Sequence, residues 1–130
     1  MQKFILDSSV WIAYFNKADL FYAEAKNIFA NISKKEAIII MPEIIFAETV
    51  NILKKHLGKN KTLEVIAKIK KIKFIKLAHG LSKFWFEFFP IYSEINLKSS
   101  DAIILAYAKF LHVDYCFTFD KKLQKAYLKN

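Results

Sequence analysis

Arginine is absent from this chain of 130 residues, so all 21 of its basic residues are lysines. Lysine carries a point charge without the planar fork of a guanidinium, which excludes bidentate arginine–guanine contacts and predicts weakly sequence-selective phosphate binding. With only 12 acidic residues, the net charge is +9. This balance favours an anionic partner, with nucleic acid first and a membrane surface second. The alternative is a lysine-rich surface that serves solubility alone.

Cysteine and long apolar runs are also scarce. The single cysteine, Cys116, excludes an internal disulfide, suits a reducing compartment and lies in an apolar run typical of a core position. No apolar run reaches the roughly 18–20 residues that span a bilayer, and Asp7 interrupts any signal-peptide core near the N-terminus. We therefore expect a soluble, cytoplasmic protein with no membrane partner.

Glycine and proline number two each, which is few for a β-sandwich or barrel with many tight turns. Short apolar segments, typical of buried parallel strands, are predicted as strands at 3–7, 37–41, 73–77 and 115–119. Helical patterns are predicted at 9–16, 20–32, 43–57, 61–71, 81–94, 100–112 and 121–128. This alternation predicts an α/β fold, a three-layer α/β/α sandwich with a mostly parallel sheet of four or five strands. We expect a single domain over residues 1–130.

The predicted helices carry recognisable boundary signals. Pro42 favours the start of the third helix and Gly58 its end. Pro90 should kink or end the fifth helix, and Ser99 is the predicted N-cap of the sixth.

Four acidic residues lie where an apolar segment meets a polar one. Asp7 and Asp120 follow the first and last predicted strands, and ligands of parallel sheets bind beyond the carboxyl ends of strands. Glu48 has isoleucines at i−4, i−3 and i+4, and Asp101 has Ile104 and Leu105 at i+3 and i+4. Both therefore share a helix face with core residues. Alternatively, Asp101 is a helix-start charge, and Glu48 is a rim residue or pairs with Lys55.

These acids, if they meet, indicate a site for a hard cation. Two carboxylates about 4 Å apart repel by about 1 kcal/mol in water and about 4 at an effective dielectric of 20, so a cluster needs a cation among its members. All-oxygen ligands select Mg²⁺ or Mn²⁺. Zinc would prefer histidine or cysteine, and the three histidines, His56, His79 and His112, have no ligand spacing and are interpreted as non-ligands.

Four segments of the chain in order carry a resemblance to a known family: FILDSSVWIAYF, PEIIFAETVNILKK, LKSSDAIILAYAK and CFTFD. They resemble the motifs of the PIN-domain family, and more narrowly the toxin nucleases of VapBC toxin–antitoxin pairs. The resemblance runs from residue 3 to about residue 125. No single motif is specific, but their order, spacing and total length together are.

The resemblance implies a PIN fold and a Mg²⁺- or Mn²⁺-dependent ribonuclease that leaves a 5′-phosphate and a 3′-hydroxyl. It implies that Asp7, Glu48, Asp101 and Asp120 form the acidic site, with Asp7 and Asp101 as the first choice for direct metal ligands. Ser9 and Thr118 match supporting residues of the motifs. The alternatives are helix capping for Ser9 and strand propensity for Thr118.

Further implications of the resemblance concern substrate and partners. At position 119 the family frequently has arginine, and Phe119 stands there instead, which puts a local phosphate contact in doubt. The family resemblance also implies a homodimer and a cognate antitoxin as partner. Aromatic residues 83–92 are interpreted as core packing or as a subunit interface. Lysines either form solvated helix faces or guide RNA towards the site, with these candidates: Lys54, Lys55, Lys121, Lys122 and Lys125.

Two other functions remain open at this point. One is a PIN nuclease of RNA processing unrelated to toxin–antitoxin pairs, and the other is a silent RNA-binding or scaffolding module. A dinucleotide-binding domain is disfavoured because no G-x-G-x-x-G follows the first strand. An aspartyl-phosphate phosphatase would commonly have aspartate at position 9, where this chain has serine.

Overall fold

A parallel sheet forms the centre of the fold. A computed structural model of the chain describes residues 1–78 and 81–129, with the side chains of residues 128 and 129 left out. Within that part, the sheet has four strands: β1 (Gln2–Leu6), β2 (Ala37–Pro42), β3 (Ile75–Ala78) and β4 (Tyr115–Phe117). Their order is β3-β2-β1-β4, and every neighbouring pair is parallel.

Helices connect the strands, as parallel pairing requires. The described residues form seven α-helices: α1 (Ser8–Phe15), α2 (Tyr22–Ser33), α3 (Glu43–Leu57), α4 (Lys59–Lys71), α5 (Phe89–Tyr92), α6 (Ser99–Phe110) and α7 (Lys121–Lys129). A π-helical segment, Phe84–Phe88, precedes α5. The predicted α/β/α sandwich with a parallel sheet is thus confirmed, with four strands. None of the described helices is both long and apolar enough to cross a membrane.

The central strands are buried on both faces because helices lie over them. Ile5 and Leu6 of β1 and Ile39 of β2 are almost inaccessible to solvent. The edge strand β3 instead exposes Lys76 and Leu77. Cys116 in β4 belongs to the core, as predicted, so it contributes as a small apolar side chain.

Several predicted boundaries were wrong by a few residues. Strand β3 begins at Ile75 rather than at 73, because a turn follows α4. Strand β4 ends at Phe117 rather than at 119. Ser99 is the first residue of α6, and Lys98 holds the N-cap position without a side-chain bond. The helix predicted at 81–94 is divided into the π-helical segment and α5, consistent with the disruptive effect of Pro90.

Candidate active site

Asp7 lies at the carboxyl end of β1, at the point where the chain passes into α1. Its side chain is buried, with 5% of its surface exposed. The Asp7 amide donates to the carbonyl of Phe117 (2.8 Å), which extends the β1–β4 pairing by one residue. The Asp7 carbonyl accepts from the amides of Val10 and Trp11 and so begins α1. The bond from its amide to Phe117 and the bonds to its carbonyl from α1 therefore hold the Asp7 backbone at the edge of the sheet.

Two hydroxyl groups join Asp7 to the loop after β4. Asp7 Oδ2 accepts hydrogen bonds from Ser9 Oγ (3.1 Å) and Thr118 Oγ1 (2.8 Å). Ser9 Oγ in turn accepts from the Phe119 amide (3.0 Å), and Thr118 Oγ1 accepts from the Asp120 amide (3.0 Å). Each hydroxyl thus connects the carboxylate to a backbone amide of the loop, which restricts the position of the Asp7 side chain.

The contacts of Ser9 and Thr118 bear on the alternatives left open by the sequence. Asp7, not Ser9, holds the N-cap position of α1. Thr118 lies beyond the end of β4, so strand propensity does not account for it. Both side chains contact Asp7, as expected of residues that support it.

Asp120 has a structural role that the sequence analysis missed. Its Oδ1 accepts from the amides of Lys122 (2.9 Å) and Leu123 (3.2 Å), so it caps the first turn of α7. An aspartate directly before an amphipathic segment is a recognised capping signal and could have indicated this contact.

Glu48 and Asp101 come to the same region from helices α3 and α6, which pack against each other. Asp101 lies in the first turn of α6 and is only 5% exposed, so it is more than a surface helix-start charge. Glu48 is half-buried, and hydrogen bonding by the Ser100 side chain favours its charged form and so opposes the rise of its pKa. The cation that acts on Glu48 is Lys98, rather than the Lys55 partner considered as an alternative.

The electrostatics link the four carboxylates. Burial, followed by the charge of Asp7, raises the pKa of Glu48, and Asp101 raises it further, whereas Lys98 and Ser100 oppose the rise. Burial likewise raises the pKa of Asp101, with added repulsion from Asp120 and Asp7 and opposition from Lys98 and Lys122. Asp7 acts on both Glu48 and Asp101, Asp101 acts on Glu48, and Asp120 acts on Asp101, so the four acids lie in one region.

A divalent cation fits this donor set, although the carboxylates do not form a closed shell. Among residues 1–78 and 81–129, no three or more histidine, cysteine, aspartate or glutamate side chains are placed to hold one ion directly. Mg²⁺ usually keeps several waters and takes one or two protein carboxylates, so it does not need three direct ligands. The oxygen-only donors and their mutual repulsion both suit a hard cation.

The lysines around the site were only partly anticipated. Lys122, a candidate from the sequence, lowers the pKa of Asp101, and so does Lys98, which the sequence analysis missed. Lys54 and Lys55 lie in the last turn of α3, more than one turn beyond Glu48 and away from the start of that helix at the sheet edge. His56 lies in that same last turn and His112 in the turn after α6, whereas His79 is outside the described residues.

Comparisons with known proteins bear on the fold. The chain is similar in structure to the VapC20 toxin of Mycobacterium tuberculosis, a sarcin–ricin loop cleaving toxin, with a TM-score of 0.77 and 18% identity over 95% of this chain and 94% of that one. It is also similar to a chain of VapBC2 from Rickettsia felis, solved with a DNA fragment from its promoter, with a TM-score of 0.74 and 15% identity over 95% and 92%. At these identities the likeness establishes the fold. A comparison with curated proteins gives no significant match.

A family model brings sequence and fold together. The model described as PIN domain matches residues 4–129, which is nearly the whole chain and includes all four acids. The chain belongs to the PIN domain family.

Proposed function

We propose that this protein, acting as a single PIN domain over residues 1–130, is a Mg²⁺- or Mn²⁺-dependent endoribonuclease that hydrolyses RNA phosphodiester bonds. The observation that carries the proposal is the set of four electrostatically linked carboxylates at the carboxyl edge of the sheet. Membership of a nuclease family and the net charge of +9 support it.

The residues of the site divide the work among them. Asp7 and Asp101 are the proposed direct ligands of the cation, and Glu48 and Asp120 act directly or through water. A bound divalent cation lowers the pKa of a water and neutralises charge on the phosphate. Ser9 and Thr118 hold the Asp7 carboxylate in one orientation through their hydrogen bonds.

Lysines complete the proposed site. Lys98 and Lys122 act on the carboxylates from the N-terminal ends of α6 and α7, where a phosphate would also be attracted. Cleavage would leave a 5′-phosphate and a 3′-hydroxyl.

We further propose that the protein is the cytoplasmic toxin of a toxin–antitoxin pair. One structural neighbour is a sarcin–ricin loop cleaving toxin and the other is from a VapBC pair, which supports an RNA target and an antitoxin partner for this chain. Co-expression with a small protein encoded directly upstream should suppress both RNA cleavage and growth arrest.

A homodimer is the proposed assembly. Only part of the aromatic segment at residues 83–92 packs into the core. Phe84 is fully buried against Tyr107, whereas other apolar side chains in and near the segment are largely exposed. The exposed set is Leu81, Phe86, Ile91, Tyr92 and Ile95. Light scattering after size exclusion should give twice the chain mass of 15.2 kDa, and a monomer at high concentration would contradict the proposal.

The test of the proposed function is incubation with total RNA. Wild-type protein with Mg²⁺ should produce discrete cleavage ends, and chelation of the ion should stop the reaction. Asp7→Asn keeps an acceptor for Ser9 and Thr118 and removes a repelling charge, so it should fold with a melting temperature no lower than that of metal-free wild type. Loss of the Asp7 charge from the site should lower the cleavage rate by at least about a hundredfold. Retained cleavage by Asp7→Asn in Mg²⁺ would overturn the assignment of the site.

A further inference from the structure

A pair of stacked aromatic rings lies at the rim of the carboxylate site. Phe21 and Phe119 have ring centroids 4.6 Å apart and an angle of 16° between their planes. Phe119 stands between Thr118 and Asp120, and its amide donates to Ser9 Oγ, the hydroxyl that contacts Asp7. Two hydrogen bonds in series, through Ser9 Oγ, therefore connect the backbone of Phe119 to the Asp7 carboxylate.

The pair is accessible to a ligand. Phe21 keeps 36% of its surface exposed and Phe119 is half-buried. Leu20, the residue before Phe21, is 89% exposed, so that neighbour does not cover the ring.

The loop that carries Phe21 is held by its own hydrogen bonds. Asn16 Oδ1 accepts from the Ala18 amide (3.1 Å), and Asp19 Oδ1 accepts from the Phe21 amide (2.9 Å). The Asp19 carbonyl also accepts from the amide of Tyr22 (3.1 Å), the first residue of α2. Such side-chain turns fix the backbone, so placing the ring requires little further ordering when a ligand binds.

We propose that the Phe21–Phe119 pair is a stacking platform for one unpaired RNA base next to the phosphate that is cleaved. This inference rests on the proposed ribonuclease function and deepens it. Aromatic rings accept the flat face of any base, and unpaired bases are the usual targets of such stacking. Because the chain has no arginine, neither a guanidinium plane nor a guanidinium fork is available for the same purpose. Lysines attract the RNA backbone, and the platform selects for a single-stranded base beside it.

The test measures binding without cleavage, in an Asp7→Asn background. Two fluorescent oligomers of about eight nucleotides are compared by anisotropy: oligoadenylate, and a ribose–phosphate chain of the same length without bases. Their charges are equal, so the ratio of their dissociation constants reports base contacts alone. We expect the parent protein to prefer oligoadenylate by about tenfold, as for one stacked base.

Three substitutions separate stacking from simple packing. Phe21→Leu keeps an apolar contact with Phe119 but removes the ring, and it should bring the ratio close to one. Phe21→Trp should keep the preference. Phe86→Leu is the matched control, because Phe86 is an exposed ring (82%) in the π-helical segment, outside the two loops that carry Phe21 and Phe119, and its loss should leave the ratio unchanged.

The outcomes distinguish this proposal from the function on which it rests. An equal loss of affinity for both oligomers in Phe21→Leu, with a lower melting temperature, would overturn the platform and assign the pair to packing alone. A parent protein without any preference for bases would overturn it as well. If wild-type protein fails to cleave RNA while the ratio depends on Phe21, the ribonuclease proposal fails and the pair stands only as a base-binding platform, without a role in cleavage.

Discussion

The two halves of the carboxylate site are built by different means. Asp7 and Asp120, at strand ends, are held by hydrogen bonds from hydroxyl and amide groups. Glu48 and Asp101, on helices, are instead surrounded by charge, with repulsion from other acids and attraction from Lys98. Asp7 and Asp101 are equally buried, at 5% exposure each, so burial alone does not explain the difference.

The comparison shows that orienting a carboxylate side chain and compensating its negative charge are separate tasks in this site. Neutral hydroxyls orient a carboxylate but leave its charge in place, so the strand-end half adds to the repulsion felt by the helical half. The pKa values of Glu48 and Asp101 are raised first by burial and then by that repulsion. A divalent cation would relieve it, and the following experiments test each half in turn.

After Asp7→Asn, the largest expected effect comes from Thr118→Val, which breaks the strand-end half. Valine has a similar shape but removes the donor to Asp7 Oδ2 and the acceptor of the Asp120 amide. Loss of such a support should lower cleavage by about 10- to 100-fold, measured as kcat/KM on RNA. Urea unfolding should show a loss of about 1–3 kcal/mol in the free energy of unfolding. Thr118→Ser is the control and should restore both, whereas full activity in Thr118→Val would show that the hydroxyl is dispensable.

A second experiment tests the helical half through stability and pH. Because the folded-state pKa values of Glu48 and Asp101 are raised, the native state binds more protons than the unfolded state between the ordinary and the raised values. Without divalent ions, these two groups therefore reduce stability as pH rises through that window. Mg²⁺ should offset this loss above the window, by about 2.7 kcal/mol at a hundredfold excess over its dissociation constant. Thermal unfolding at several pH values measures both effects.

The control for that experiment is the double variant Glu48→Gln/Asp101→Asn. It lacks both titrating groups, so the metal-free protein should be more stable than wild type near neutral pH and should respond little to Mg²⁺. An equal response of the two proteins to Mg²⁺ would place the ion elsewhere.

The smallest expected effect comes from Lys98→Gln, which tests how much the lysine charge beside Glu48 and Asp101 contributes. Lys98 lowers the pKa of both Glu48 and Asp101, so its loss should raise both pKa values and move the acidic limb of the pH–rate profile to higher pH. We expect a few-fold lower rate near the midpoint of that limb and little change at alkaline pH. Lys55→Gln, on the last turn of α3, should leave the limb in place. A shift of equal size in both variants would indicate a general charge effect.

Much of the fold was accessible from the sequence because it depends on local pattern. Short apolar runs bounded by helical periods predicted each strand of the sheet, and Pro42 and Gly58 correctly bounded α3. The errors fell at ends, such as Ser99, where capping depends on how the preceding loop packs. Of the site, the position of each acid at an apolar-to-polar boundary was visible in the sequence, whereas Ser9 and Thr118 were indicated as supporting residues only by the family resemblance. The functional roles of these acids and of Ser9 and Thr118 stay predictions.

The sequence by itself determined the parallel α/β architecture, since strand periodicity and strand ends are local properties, and it placed each of the four acids at an apolar-to-polar boundary. Only the tertiary structure decided which atoms meet there. The bond from Thr118 to Asp7 joins residues 111 positions apart, and the Phe21–Phe119 stack joins the loop before α2 to the loop after β4. Such pairs depend on β1 lying beside β4 in the sheet, an order that no local pattern records.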